Sequence, residues 1–208
     1  MERATNNANR MSAHRGLRVM ALVALLASAG CAPDAPPGFG QGGDDHFDIL
    51  IASTADGGGA LAADYDFSQP IEVFFNQCLG GSGQTCEGGI QLYSAEDPGI
   101  MMLETDESDE SFFVLEDDTT VALEIIAADP GASLFLGGVL LDQPGDSVDL
   151  PTVPDLHTHG DWQVAAPGGG NVTGPYSLSF KLTTTSLLYS ESQSYTALLM
   201  PSAAPAEE

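Results

Sequence analysis

Basic residues are almost absent from this chain. Its 208 residues hold 5 Lys and Arg against 30 Asp and Glu, a formal net charge of −25. Arg3, Arg10, Arg15 and Arg18 all precede residue 19, so Lys181 is the one base beyond it. Glu2 is the only acid in that leader; the rest carries 29 acids against one base, a net of −28. Phosphate backbones and anionic lipid headgroups are held by Lys and Arg clusters, which are missing here. Nucleic-acid binding is therefore excluded. Cations, and proteins with basic faces, are what such a field attracts. Long apolar runs are missing too: none approaches the roughly 20 residues that a membrane-spanning helix needs. Outside the leader no stretch of about 12 residues keeps a 3.6-residue apolar stripe, which excludes a helical domain. What is abundant is apolar side chain, 43 % of the total, enough for a core and unlike an acidic disordered chain. The length fits one domain with tails.

Residues 1–31 read as a targeting segment. Arg10, Arg15 and Arg18 form a basic region before the short apolar run Val19-Met-Ala-Leu-Val-Ala-Leu-Leu-Ala27. The run closes on Ser28-Ala29-Gly30-Cys31, which resembles a bacterial lipobox, with Ser28 where that motif usually has Leu. The resemblance implies lipidation of Cys31 and a bacterial cell-envelope protein held to the membrane by its N-terminal lipid. Met11 to Cys31 alone makes a complete leader, so Met11 is an alternative start. Residues 32–45 are rich in Pro, Gly and Asp without periodicity, as expected of a disordered tether. Residues 201–208 read as a disordered tail.

Residues 46–200 carry β signals throughout. Short apolar or alternating runs occur at 47–51, 71–75, 90–93, 111–115, 121–126, 133–136, 176–182 and 195–200. Asp56-Gly57, Asp97-Pro98-Gly99, Asp129-Pro130-Gly131 and Pro144-Gly145 punctuate them as turns. The pattern predicts an all-β domain, an antiparallel β-sandwich. Cys78 and Cys86 flank a Gly-rich segment in an exported chain, which predicts a loop-closing disulfide rather than a two-Cys metal site.

Histidine is sparse, and its placement is informative. Beyond His14 in the leader there are three, His46, His157 and His159. They lie in His46-Phe47-Asp48 and in Asp155-Leu156-His157-Thr158-His159-Gly160-Asp161-Trp162. Residues two apart in an extended segment share a face, so His157 and His159 present paired imidazoles. Neutral imidazole suits Zn(II) or Cu(II). His46 and Asp48 share a face likewise, and the site closes if the first strand lies beside the segment 157–159. Asp48 or Asp161 would then be a fourth ligand or an acceptor for an imidazole N–H. The plain alternative is that these histidines are merely solvated in an acidic surface.

The order His157-x-His159-x-x-Trp162, Pro167-Gly168, then Gly174-Pro-Tyr176-Ser-Leu-Ser-Phe180 resembles the signature of a bacterial surface-anchored or exported domain family. His46-Phe-Asp48 matches the His-x-Asp near that family's domain start. Residues 169–173 lengthen the turn before Tyr176, and Asp161 stands where Asn is common. The family is associated with metal-type ABC transporters, so the resemblance implies extracytoplasmic metal handling with a transporter component as partner.

Enzyme templates fit poorly. Gly80-Gly-Ser-Gly-Gln84 lacks the closing Gly of a nucleophile elbow. A copper/zinc dismutase needs more histidines, a cupin needs a Glu just after the HxH, and a blue-copper site needs a free Cys. The acidic run 104–110 lacks the Gly and spacing of an EF-hand and reads as a solvated loop. Trp162, Tyr176 and Phe180 read as core aromatics. The expectation is a non-enzymatic, lipid-anchored metal-binding protein, zinc first and copper second, for scavenging or delivery. A structural or adhesion module of the cell surface without metal is the rival.

Overall fold

The computed structural model describes residues 48–81 and 86–202, which fall within one compact unit, Asp44–Glu208. Cys31, the tether at 32–45, His46 and residues 203–208 lie outside the described residues. The described residues contain strands and no helix. A small sheet has the order β10 (His157–Thr158), β5 (Ile100–Met102), β1 (Ile49–Ala55), β2 (Gly58–Asp64), β13 (Tyr189–Ser190). A larger sheet begins with β8 (Val139–Leu141), β7 (Ala132–Leu136), β11 (Asp161–Pro167), β4 (Ile90–Ala95) and β3 (Ile71–Leu79). It continues with β14 (Tyr195–Ser202), β12 (Tyr176–Thr184), β6 (Val121–Ala128) and β9 (Ser147–Asp149). Its edges, β8 and β9, approach each other, so this sheet curls nearly into a barrel.

Alternation explains the large sheet. Leu178, Phe180 and Leu182 of β12, Val121, Leu123 and Ile125 of β6, and Trp162, Val164 and Ala166 of β11 are all buried. Alternate side chains of these strands, Ala166 apart, thus join one core. β1 behaves differently, since its first five residues are all buried. Ile49 and Ile51 face the main core, while Leu50 and Ala52 form a second cluster with Leu103, covered by Met101, Phe112 and Val114. Both faces of β1 are covered, which is why its sequence is a continuous apolar run.

The all-β, sandwich-type domain is as the sequence predicts, although three pairings within it, β1–β5, β2–β13 and β3–β14, are parallel rather than antiparallel. Parallel neighbours require a crossover, and the chain visits the large sheet between β2 and β5. The run 111–115 is no strand but makes only single bridges, Phe113 to Ser53 and Phe112 to Glu107. Ser111 adopts a positive φ of 64°, and Val114 N–H donates to Asp106 Oδ1, which commits the segment to a turn that covers Leu50. The last strand runs through Pro201 and Ser202, two residues into the expected tail. The Cys78–Cys86 disulfide is present, joining the end of β3 to the approach to β4.

A buried side-chain hydrogen bond links the two sheets within the core. Ala63 N–H on β2 donates to Tyr195 Oη on β14 at 2.9 Å, and Tyr195 packs its ring against Phe67 and Phe180. Tyr195→Phe is expected to leave that buried N–H unpaired and to destabilise the fold by about 1–3 kcal/mol. Urea unfolding followed by circular dichroism measures it, and an unchanged midpoint would contradict the role.

Asp129, in the turn between β6 and β7, accepts from Ser177 N–H at 2.7 Å and Ser177 Oγ at 2.8 Å. These bonds hold its carboxyl below the ordinary value. A lowered folded-state pKa adds stability above the unfolded value, near 3.9, and that stability is lost as pH falls through the folded one. The stability gap between the parent and Asp129→Ala should therefore narrow on acidification below about pH 4. Paired unfolding curves at several pH values report it as a difference, which cancels the field of the other carboxylates.

Candidate metal centre

Strand register assembles the site. On β5, Ile100 lies opposite Ile49 of β1 on one side and Thr158 of β10 on the other. One step further, Asp48, Gly99 and His159 fall in a row across the three strand ends. Ile49 N–H donates to the Gly99 carbonyl at 2.8 Å, and Gly99 N–H donates to Asp48 Oδ1 at 2.9 Å. Gly99 leaves the middle of the row open. A Cβ there would sit 2.7 Å from Asp48 Oδ1 and 2.8 Å from His159 Cε1, closer than real side-chain atoms come. The first strand is thus not the neighbour of segment 157–159; β5 lies between them and carries the one residue type that lets Asp48 and His159 approach each other.

The two histidines share a face as period-2 geometry requires. His157 Nε2 and His159 Nε2 are 3.1 Å apart, with ring centroids 5.1 Å apart and planes at 55°. Two nitrogens on one tetrahedral zinc, each bonded at 2.0–2.1 Å, are separated by about 3.3 Å. The same distance also suits one imidazole donating to the other. Both residues are exposed, so the rings are open to solvent.

Carboxylates gather on the opposite side of His159. Asp97 Oδ1 lies 3.8 Å from His159 Nδ1, and ligand atoms of Asp48, Asp97 and His159 all lie within 4.8 Å of one another. Asp97 belongs to the turn between β4 and β5, whose Pro98 carbonyl accepts from Trp162 Nε1–H at 2.9 Å. Trp162 is a core aromatic, as its sequence suggested, and it also pins the turn that carries Asp97. Nothing in the local sequence marked Asp97 as a site residue. Only the pairing of β5 with β1 and β10 brings it in.

Asp161 is placed elsewhere. Gly160 is the point where the chain leaves the small sheet, and Asp161 pairs with Phe135 of β7 in the large one. It lines a shallow cleft of about 370 Å³ with Glu96, Phe135 and one side of His159. Burial, then the neighbouring Glu96 carboxylate, raises the Asp161 carboxyl above its ordinary value. Among the described residues the acids grouped with His159 are Asp48 and Asp97, not Asp161. A separate group, Asp64, Glu107 and Glu110, contains only carboxylates.

No protein-family model matches this chain, and no curated protein matches it. Among solved structures, it is similar to the CooA pilin subunit from enterotoxigenic Escherichia coli at 13 % identity. The likeness covers 66 % of this chain and 92 % of that one, with a TM-score of 0.30, too slight to bear on role.

Gly99→Ala is expected to force the Asp48 carboxylate and the His159 ring apart while sparing the buried core. In NMR spectra of the histidine side chains, the His159 ring signals should move and the Tyr195 ring signals should not. Unmoved His159 signals would show that the gap at residue 99 does not set this geometry.

Proposed function

We propose that this is an exported, lipid-anchored protein of the bacterial cell envelope that binds a transition metal for scavenging or delivery, without catalysing a reaction. Zinc is the first candidate and copper the second. The observation that carries the reading is the 3.1 Å approach of His157 Nε2 to His159 Nε2 on an exposed strand. Two neutral imidazoles at that spacing chelate one ion and leave further positions for His46 or a partner's side chain. Asp48 and Asp97 supply negative charge on the far side of the ring. The net −28 body raises the local concentration of cations around the site. It also favours a partner with a basic face, such as a component of a metal transporter. Export is supported by the disulfide, which suits an oxidising compartment.

The test is titration calorimetry of the full chain with Zn(II) and with Cu(II). Replacing His157 and His159 together by Ala should abolish stoichiometric binding while the β-type circular dichroism spectrum stays as it was. If the double variant binds as tightly as the parent, exposed carboxylates do the binding and this reading fails. A parent that binds nothing would leave a surface module whose histidines are only solvated.

A further inference from the structure

We infer that His159 bridges two metal ions, one on each ring nitrogen, so that the centre is a two-ion site. The inference rests on the metal-binding reading above and adds a second ion with its own ligands. The two nitrogens of His159 face different donor sets. Nε2 faces His157 Nε2 at 3.1 Å, and Nδ1 faces Asp97 Oδ1 at 3.8 Å with Asp48 beside it.

The length of the second approach is the informative quantity. In the usual arrangement a metal-bound histidine donates its other N–H to a carboxylate, and that bond is about 2.7–3.2 Å long. At 3.8 Å the His159–Asp97 pair is too far apart for it. The separation is a few tenths of an ångström wider than the roughly 3.4 Å between a nitrogen and an oxygen on one tetrahedral ion, and lies within the about 4.3 Å that bonds of 2.0–2.1 Å and 2.0–2.2 Å can span. Asp48 is fixed for the same task. Its Oδ1 already accepts from Gly99 N–H, which holds the carboxylate against the row, and the bare α-carbon of Gly99 keeps the space between Oδ1 and the imidazole clear. Asp97 is held from behind, since the turn that bears it is tied to the buried Trp162 indole through Pro98.

Two divalent ions on one ring require the imidazole to give up its remaining N–H proton. That proton passes to solvent, and the ring binds as imidazolate through both nitrogens; no electron transfer is involved. The carboxylates of Asp48 and Asp97 offset the charge of the second ion. The Nδ1 ion then has oxygen-rich ligands and the Nε2 ion nitrogen-rich ligands, so a mixed pair of a harder and a softer divalent ion suits the centre.

The experiment uses the full chain, dialysed against a weak chelator so that loosely held ions are removed, with metal content measured by elemental analysis. The parent should retain two Zn(II) per chain, and Asp48→Asn/Asp97→Asn should retain one. His157→Ala should also retain one, and His159→Ala none. Loading with Cu(II) gives an independent readout, because two Cu(II) ions sharing an imidazolate couple magnetically. The doubly loaded parent should show an electron paramagnetic resonance intensity well below two spins per chain. Asp48→Asn/Asp97→Asn should show one full, uncoupled spin. One ion in the parent, unchanged in the Asp variant, overturns the bridge and leaves the single-ion reading standing. Two ions with full uncoupled intensity also overturn it. No retained ion in the parent overturns both.

Discussion

The candidate centre depends on a missing side chain. Asp48, Gly99 and His159 stand in one row across three neighbouring strand ends, and only hydrogen occupies the middle position. The row is set by register, not by local sequence. A slip of one residue in either pairing would send Asp48 or His159 to the opposite face, into the apolar core that Ile49, Ile100 and Leu156 fill. The burial of those three side chains is therefore what places the polar row outside. The indole of Trp162 sets the remaining coordinate by holding the Pro98 carbonyl, and with it the turn that carries Asp97.

Electrostatics act on a longer scale. Beyond the leader Lys181 is the single base, and it is already engaged, 2.7 Å from Glu191 and 3.5 Å from Glu124. Those partners raise its pKa, first through the Glu191 hydrogen bond. Among the described residues no other lysine or arginine is present to neutralise the rest of the acidic surface. Solvent cations do that work, and the imidazole pair is where nitrogen donors meet this field. A field of that sign draws cations to the molecule in general and does not discriminate among them.

Much of the architecture was legible from alternation. Tyr176 to Leu182 shows a period of two and is a strand with Leu178, Phe180 and Leu182 buried, and the apolar run Val121 to Ile126 is a strand as well. Asp56-Gly57, Asp129-Pro130-Gly131 and Pro144-Gly145 fall between strands, with positive φ at Gly57, Gly131 and Gly145. The disulfide followed from spacing and compartment. β2, with the sequence Gly-Gly-Ala-Leu-Ala-Ala-Asp, gave no signal, because small residues do not register as an apolar stripe. β5 has three residues and β10 two, too short for any periodicity to show. At the site, the pairing of His157 with His159 could be read from their spacing. The nearness of Asp97 to His159 and the pairing of Asp161 with β7 could not, since both depend on which sheet each residue joins. Gly160 is where two residues adjacent in sequence to one centre part company, His159 to the small sheet's end and Asp161 to the large sheet.

The brevity of β10 has a kinetic side. Its two residues form the outer edge of the small sheet, held by pairing to β5 and by the buried Leu156 just before them. An edge segment with so few backbone bonds opens by local fluctuation at a free energy far below that of global unfolding. The segment that carries the histidine pair can then detach and re-pair many times while the Trp162–Phe180–Tyr195 core stays folded. The spacing of the two imidazoles is thus set on the timescale of a fraying strand rather than of an unfolding domain.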